Sequence, residues 1–281
     1  MKRLQWIFFS IALLITAVLF VASEKKFFGP PKTKITQVVS ASPSQFTADS
    51  VLFHAKRQLT PEQTARINFL ENSITRGDIK EQRIHLYHQL AKFWGDSARI
   101  FEPYAWYVAE AARLENSEKS LTFAARLFLD SLVEEHDTHI KQWEAFQAKD
   151  LFERSLKLNP NNDSSKIGLG EVLLYGEIAM PMEGVGAIRE VATKDSGNVY
   201  AQISLGKASL MSGQMDKAFE YFKKAASLQP NNIEAVFRTA EIADRLGNKA
   251  QAIVWYNKLL PLINRADIKK EIETRINELK K

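Results

Sequence analysis

The sequence repeats itself. LFERSLKLNPNN at Leu151–Asn162 returns as YFKKAASLQPNN at Tyr221–Asn232, and their prolines, Pro160 and Pro230, lie 70 residues apart, two units of about 35. Such a chain has few folds open to it. Each unit is one supersecondary element that cannot hide its own apolar face, so neighbours must stack in a row to bury it. From Pro61 onward apolar residues recur at spacings of three and four, with no sustained period-two run, so the units are helical and the predicted class is all-α.

The clearest unit is Val199–Asn232, 34 residues with Leu205-Gly206 in the seventh and eighth places, then Ala218, Phe222 and Ala225, and Pro230 near the end. This resembles the tetratricopeptide repeat. Gly206 and Ala218 are small where two antiparallel helices cross, Phe222 fills the gap towards a neighbouring repeat, and Pro230 stops the second helix. Ser209 departs from the tyrosine usual in the family. The frame extends to Asp163–Asn198 (Leu169-Gly170, Gly184, Ile188) and Ile233–Ala266 (Ala240, Gly247, Ala252, Tyr256, with Pro261 displaced). Two degenerate units precede them: Ile84–Ser117, and Glu118–Asn162 with about ten inserted residues near Glu134–Lys141. Ile268–Lys280 has the amphipathic pattern of a capping helix. The expected architecture is an α-α solenoid: an N-terminal helix at 61–83, five repeats at 84–266 and a cap at 267–281.

A membrane anchor and a stalk are expected to precede it. Leu4–Ala22 carries no charge, and as a helix would reach about 28 Å, close to the ~30 Å apolar thickness of a bilayer. Two readings compete for residues 1–23. The run is longer than the apolar part of a secretory signal, and Trp6, Phe8 and Phe9 suit an interface, which favours a retained transmembrane helix. Val21-Ala22-Ser23 would also satisfy signal cleavage. With only three residues before the span, the expected orientation places the solenoid on the extracytoplasmic (periplasmic) side. Gly29-Pro30-Pro31 breaks any helix, and residues 24–60 read as a flexible stalk. Thr60-Pro61-Glu62-Gln63 then opens the first helix with an N-cap and a first-turn proline.

Charge and composition remove several function classes. The net charge of +5 sits wholly in residues 1–34, where Lys2, Arg3, Lys25, Lys26, Lys32 and Lys34 face Glu24; the remainder balances at 32 basic and 32 acidic residues. A phosphate backbone needs a basic face, so no nucleic-acid partner is expected. The absence of cysteine removes disulfides, thiolate metal sites and thiol nucleophiles. Gly168-Leu169-Gly170 and Gly184-Val185-Gly186 follow no strand and fall on helix-packing positions, which argues against a phosphate cradle. His85 with His88, and His136 with His139 beside Glu134, Glu135 and Asp137, could each supply two metal ligands but no third at fixed spacing. Trp94, Trp106, Phe123, Phe128 and Phe152 sit at core spacing. No catalytic, metal or cofactor assignment is made, and no enzymatic activity is expected.

What the resemblance implies is protein binding. In such repeats the first helix of each pair lines a concave groove, at the second, fifth, ninth and thirteenth places. Those positions are Glu171 and Tyr175, then Tyr200, Ile203, Lys207 and Met211, then Glu234, Phe237, Glu241 and Arg245. Ile203, Phe237, Tyr175 and Met211 offer apolar anchors among charges of both signs, which suits a peptide or helix of a partner protein. The two-lysine, two-asparagine carboxylate clamp of the chaperone-binding subset is missing around Lys207. The function expected is therefore a membrane-anchored interaction scaffold. The alternatives are an assembly factor resembling the anchored repeat proteins of cytochrome c maturation, and a metal-dependent hydrolase using His136 and His139.

Overall fold

The repeat pattern becomes helix pairs. In the computed structural model, which describes residues 46–74 and 79–281, the order is α1 Ala48–Lys56, α2 Pro61–Ile74, α3 Lys80–Lys92, a π-helical segment Phe93–Ala98, and α4 Phe101–Glu115. Then follow α5 Glu118–Glu134, α6 Thr138–Leu158, α7 Asp163–Tyr175, α8 Pro181–Lys194, α9 Val199–Met211 and α10 Met215–Leu228. The chain finishes with α11 Ile233–Arg245, α12 Lys249–Leu259, a 3-10 turn Leu260–Leu262 and α13 Ala266–Leu279. Among the described residues there is no strand. Five pairs, α3/α4, α5/α6, α7/α8, α9/α10 and α11/α12, pack most closely within themselves and next most closely on the following pair.

The starts of these helices are written locally. Asn162, Asn198 and Asn232 stand at the same place in three successive units, and each side-chain Oδ1 accepts the N–H three residues on: Ser165 at 2.8 Å, Ala201 at 3.0 Å and Ala235 at 3.0 Å. Each cap stabilises its helix by about 1 kcal/mol and marks the point where one pair hands over to the next. Thr60 caps α2 as expected, and Gln63 makes the cap reciprocal, with Thr60 Oγ1 accepting from the Gln63 N–H at 3.2 Å and Gln63 Oε1 from the Thr60 N–H at 3.0 Å.

Burial follows the stacking. One apolar cluster joins α5 and α6 to Val51 of α1, to α4 and to Val172 of α7. Another joins α7 and α8 to α9, and a third runs from Ile203 through α10, α11 and α12 to Ile272, Ile276 and Leu279 of α13. Each pair thus leaves an apolar side that only its neighbour covers. The terminal helix closes the last one, held by Arg275, whose Nε and Nη2 donate to the two carboxylate oxygens of Asp244 at 2.7 and 2.8 Å.

The close crossings are where the glycines predicted them. A Cβ on Gly206 would lie 2.7 Å from the Phe222 ring, one on Gly168 2.3 Å from the Phe152 ring, and one on Gly184 2.2 Å from the carbonyl oxygen of Gly170. Gly168, Gly170 and Gly184 are therefore packing positions inside helices, whereas Gly186, expected to be one as well, has nothing within 4 Å of its missing Cβ. Phe152 reaches forward to the next repeat, whereas Phe222 fills space within its own.

Four expectations need correction. The stretch assigned to the stalk contains α1: Thr47 and Ser50 form a capping box, Val51 and Ala55 are buried, and Lys56 pairs with Glu71 at 2.6 Å. Nine residues flanked by Ser and Thr are too short to show a period, and tertiary packing holds them. The first pair opens at Lys80, four residues earlier than read, because its first turn is polar. The insertion near Glu134–Lys141 is no loop; it lengthens α5 to 17 and α6 to 21 residues, leaving only residues 135–137 between them. Phe123 is 55% exposed, while Trp94, Phe128 and Phe152 are fully buried. The expected anchor at 4–22 and the stalk up to residue 45 lie outside the described residues. Among those described, no helix is long and apolar enough to cross a membrane.

Candidate binding groove

The first helices of four successive pairs wall one groove. It encloses about 840 Å³, with α5, α7, α9 and α11 as its sides and Gln229 and Asn232 at the turn before α11. Seven of the ten sequence-predicted positions line it: Glu171, Tyr175, Tyr200, Ile203, Lys207, Met211 and Glu234. Phe237, Glu241 and Arg245 do not. On α11 the lining residues are Glu234 and Arg238. Phe237 lies instead beside Arg238, whose guanidinium is 5.8 Å from its ring, and Glu241 is taken up by Arg238 at 2.9 Å and by Arg245.

The floor is a hydrogen-bonded cluster. Glu171 is buried and accepts from the Tyr200 hydroxyl and, at 2.7 Å, from the Ser204 hydroxyl. Burial first, and then the Glu171 charge, raise the phenols of both Tyr175 and Tyr200 above the usual range, so both stay neutral. Arg126 lies with its guanidinium 4.4 Å from the centre of the Tyr200 ring and donates to Ser164 Oγ at 3.1 Å. Lys207 pairs with Glu234 at 2.8 Å. The walls of the groove therefore have fixed positions before any ligand arrives, which lowers the ordering cost of binding.

Two of the expected anchors behave differently from each other. Met211 is 58% exposed, an open apolar side chain at the rim, whereas Ile203 is only 7% exposed and belongs to the core beneath. The α5 wall, with Arg126, Leu129, Asp130, Val133 and Glu134, was missed altogether. The signal for part of it was present: the same offsets applied from Glu118 give Lys119, Thr122, Arg126 and Asp130. The insertion hid it, because the frame of that unit looked broken.

The histidines sit elsewhere. His88 Nε2 lies 2.7 Å from Glu115 and His85 Nε2 2.9 Å from the Gln89 amide. Glu135 accepts the N–H groups of His136 and Asp137, and Asp137 caps α6 through His139 and Ile140. Among the described residues no group of three or more His, Asp or Glu is placed to hold a metal ion.

Residues 209–269 match the family model described as tetratricopeptide repeat. No curated protein matches the chain. Among solved structures, MamA (residues 41 to the end) from Desulfovibrio magneticus RS-1 is 22% identical with a TM-score of 0.45, covering 66% of this chain and 96% of that one. Pseudomonas aeruginosa pilF is 16% identical, TM-score 0.49, covering 71% and 85%, and the type IV pilus biogenesis factor PilW is 18% identical, TM-score 0.49, covering 70% and 86%. Similarities this low pass no residue role from one chain to another. Five stacked helix pairs make the described residues an all-helical repeat protein, and the stretch 209–269 within it matches the tetratricopeptide repeat.

Proposed function

We propose that the chain is a non-catalytic interaction scaffold, held at a membrane by residues 4–22, which receives a peptide or helix of a partner protein in the α5–α11 groove. One observation carries this reading. The groove opens on apolar side chains, Val133 at 51% and Met211 at 58% exposed, ringed by charged residues of which Arg126, Lys207, Glu234 and Arg238 are held by contacts within the protein. Apolar anchors inside a charged rim are the usual anatomy of a recognition surface. Helping to assemble an envelope complex is one use of such a groove, and the identity of the captured protein decides it.

A photoreactive residue at Met211, compared with one at the exposed Val254 of α12, tests the groove. The expected result is a protein trapped in cells from position 211 and not from 254, whose binding to the purified chain weakens at least tenfold on Met211→Glu. Equal capture at both positions, or unchanged affinity, would sink the reading. The anchor is tested separately. The full chain should sediment with membranes, resist alkaline carbonate and dissolve in detergent, and a variant lacking residues 1–23 should become soluble. External protease on spheroplasts should digest the solenoid if it lies on the extracytoplasmic side.

A further inference from the structure

The face of α5 that walls the groove continues past it. Arg126 and Asp130 line both the groove and a second recess of about 610 Å³, which also takes in Lys119, Phe123 and Leu127. Positions 119, 123, 126, 130, 133 and 134 recur at three and four, so they form one stripe along the helix. At ~1.5 Å per residue the stripe runs about 22 Å from Lys119 to Glu134, and its two exposed apolar residues, Phe123 and Val133, stand about 15 Å apart.

Charge along this stripe is ordered. Lys119 and Arg126 occupy the half near the start of α5, and Asp130 and Glu134 the half near its end. Lys119, Asp130 and Glu134 are exposed, and no ion pair among the described residues engages them. Arg126 is held by the Tyr200 ring and the Ser164 hydroxyl, neither of which neutralises it. The other cations of the groove are already paired, Lys207 with Glu234 and Arg238 with Glu241. Glu118, the one carboxylate at the basic end, accepts from the side chains of Asn159 and Asn162. The main-chain groups of α5 are spent inside the helix, so a ligand meets side chains only and must satisfy its own backbone, which a helix does.

We propose that the occupant is an amphipathic helix of a partner protein lying along α5, its charge order opposite to that of the stripe. Its apolar face covers Phe123 at one end and Val133 with Met211 at the other, about three turns apart. Acidic residues stand over Lys119 and Arg126, and basic residues over Asp130 and Glu134. Charge order of this kind sets the direction in which a helix lies. The inference rests on the groove being the docking site, and it adds what docks there and which way round.

The probe is a stapled helical peptide of about 16 residues, with leucines on one face, glutamates at one end, lysines at the other and a benzophenone at the lysine end. Trypsin cuts after Arg126, so crosslinks near the two ends of the stripe fall in different fragments, Ser120–Arg126 and Leu127–Lys141. On the full-length protein the benzophenone should label Leu127–Lys141. In the charge-reversed variant Lys119→Glu, Asp130→Lys, Glu134→Lys, all at exposed positions, the label should move to the other end of α5. A peptide that does not bind, labels both fragments equally, or keeps its orientation on the reversed variant overturns the proposal. If the protein trapped through Met211 still depends on that residue while the peptide shows no preferred orientation, the groove stands as a docking site and only the charge-ordered helix falls.

Discussion

Replacing Gly184 by alanine should unfold the protein at a temperature lower by roughly 2–12 °C, whereas Gly186→Ala, two residues along the same helix, should raise it by a few degrees. At Gly184 a methyl group would sit 2.2 Å from the Gly170 carbonyl oxygen and 2.9 Å from the Leu174 nitrogen. Both are backbone atoms, so no rotamer change relieves the contact and α7 and α8 must separate. Overpacking of this kind costs about 1–3 kcal/mol or more, beyond the gain of up to about 1 kcal/mol in helix propensity. At Gly186 nothing lies within 4 Å, and only the propensity gain remains. Thermal denaturation followed by circular dichroism checks both. Equal shifts, or two shifts of the same sign, would show that the α7/α8 crossing is looser than described. Stacked repeats pass such a disturbance to their neighbours, so Gly184→Ala should also broaden the transition.

The second large effect comes from Glu144, on α6. Its side chain is fully buried; Oε1 accepts from the Ser131 hydroxyl at 2.7 Å and Oε2 has no hydrogen-bond partner. Burial pushes its pKa up to about 8; the charges of Glu135 and Glu102 add to this, while the Ser131 bond and Lys141 oppose it. An unfolded glutamate titrates near 4.3, so between that value and about 8 the folded state holds a proton that the unfolded state has lost. Stability must therefore fall as pH rises across this window, by up to ~1.4 kcal/mol per pH unit, and level off above it. Glu144→Gln keeps an acceptor for Ser131 and carries no proton to lose. Its stability should be flatter with pH, and by pH 8 it should exceed the wild type by roughly 4 kcal/mol. Urea denaturation at a series of pH values measures this, and parallel curves for the two proteins would refute it. The carboxyl lies on α6, one helix away from the groove, and its partner Ser131 is on α5.

The legible part of this chain was the part carried by short-range chemistry. The spacing of Pro160 and Pro230 and the small residues at 170, 184 and 206 act through neighbours within a turn or a pair, and each appears where the sequence placed it. The groove was legible only as far as the frame was clean. In the third and fourth units all six predicted positions line it, and in the fifth only Glu234 does, with Arg238 beside it in place of Phe237, Glu241 and Arg245. The α5 wall failed for a different reason: the extra residues continue both helices instead of making a loop, so a unit that packs like the others did not scan like them.

The sequence alone determined the all-helical class and the repeating helix-pair pattern, because caps, breakers and a 3.6-residue period are local devices. Only the tertiary structure decided which exposed side chains share a groove, that Ile203 belongs to the core while Met211 is open, and that Glu144 is sealed away with one oxygen unpaired. Those outcomes depend on how far each helix turns about its own axis against its neighbours. That rotation is set by the summed packing of many side chains, and no single stretch of sequence records it.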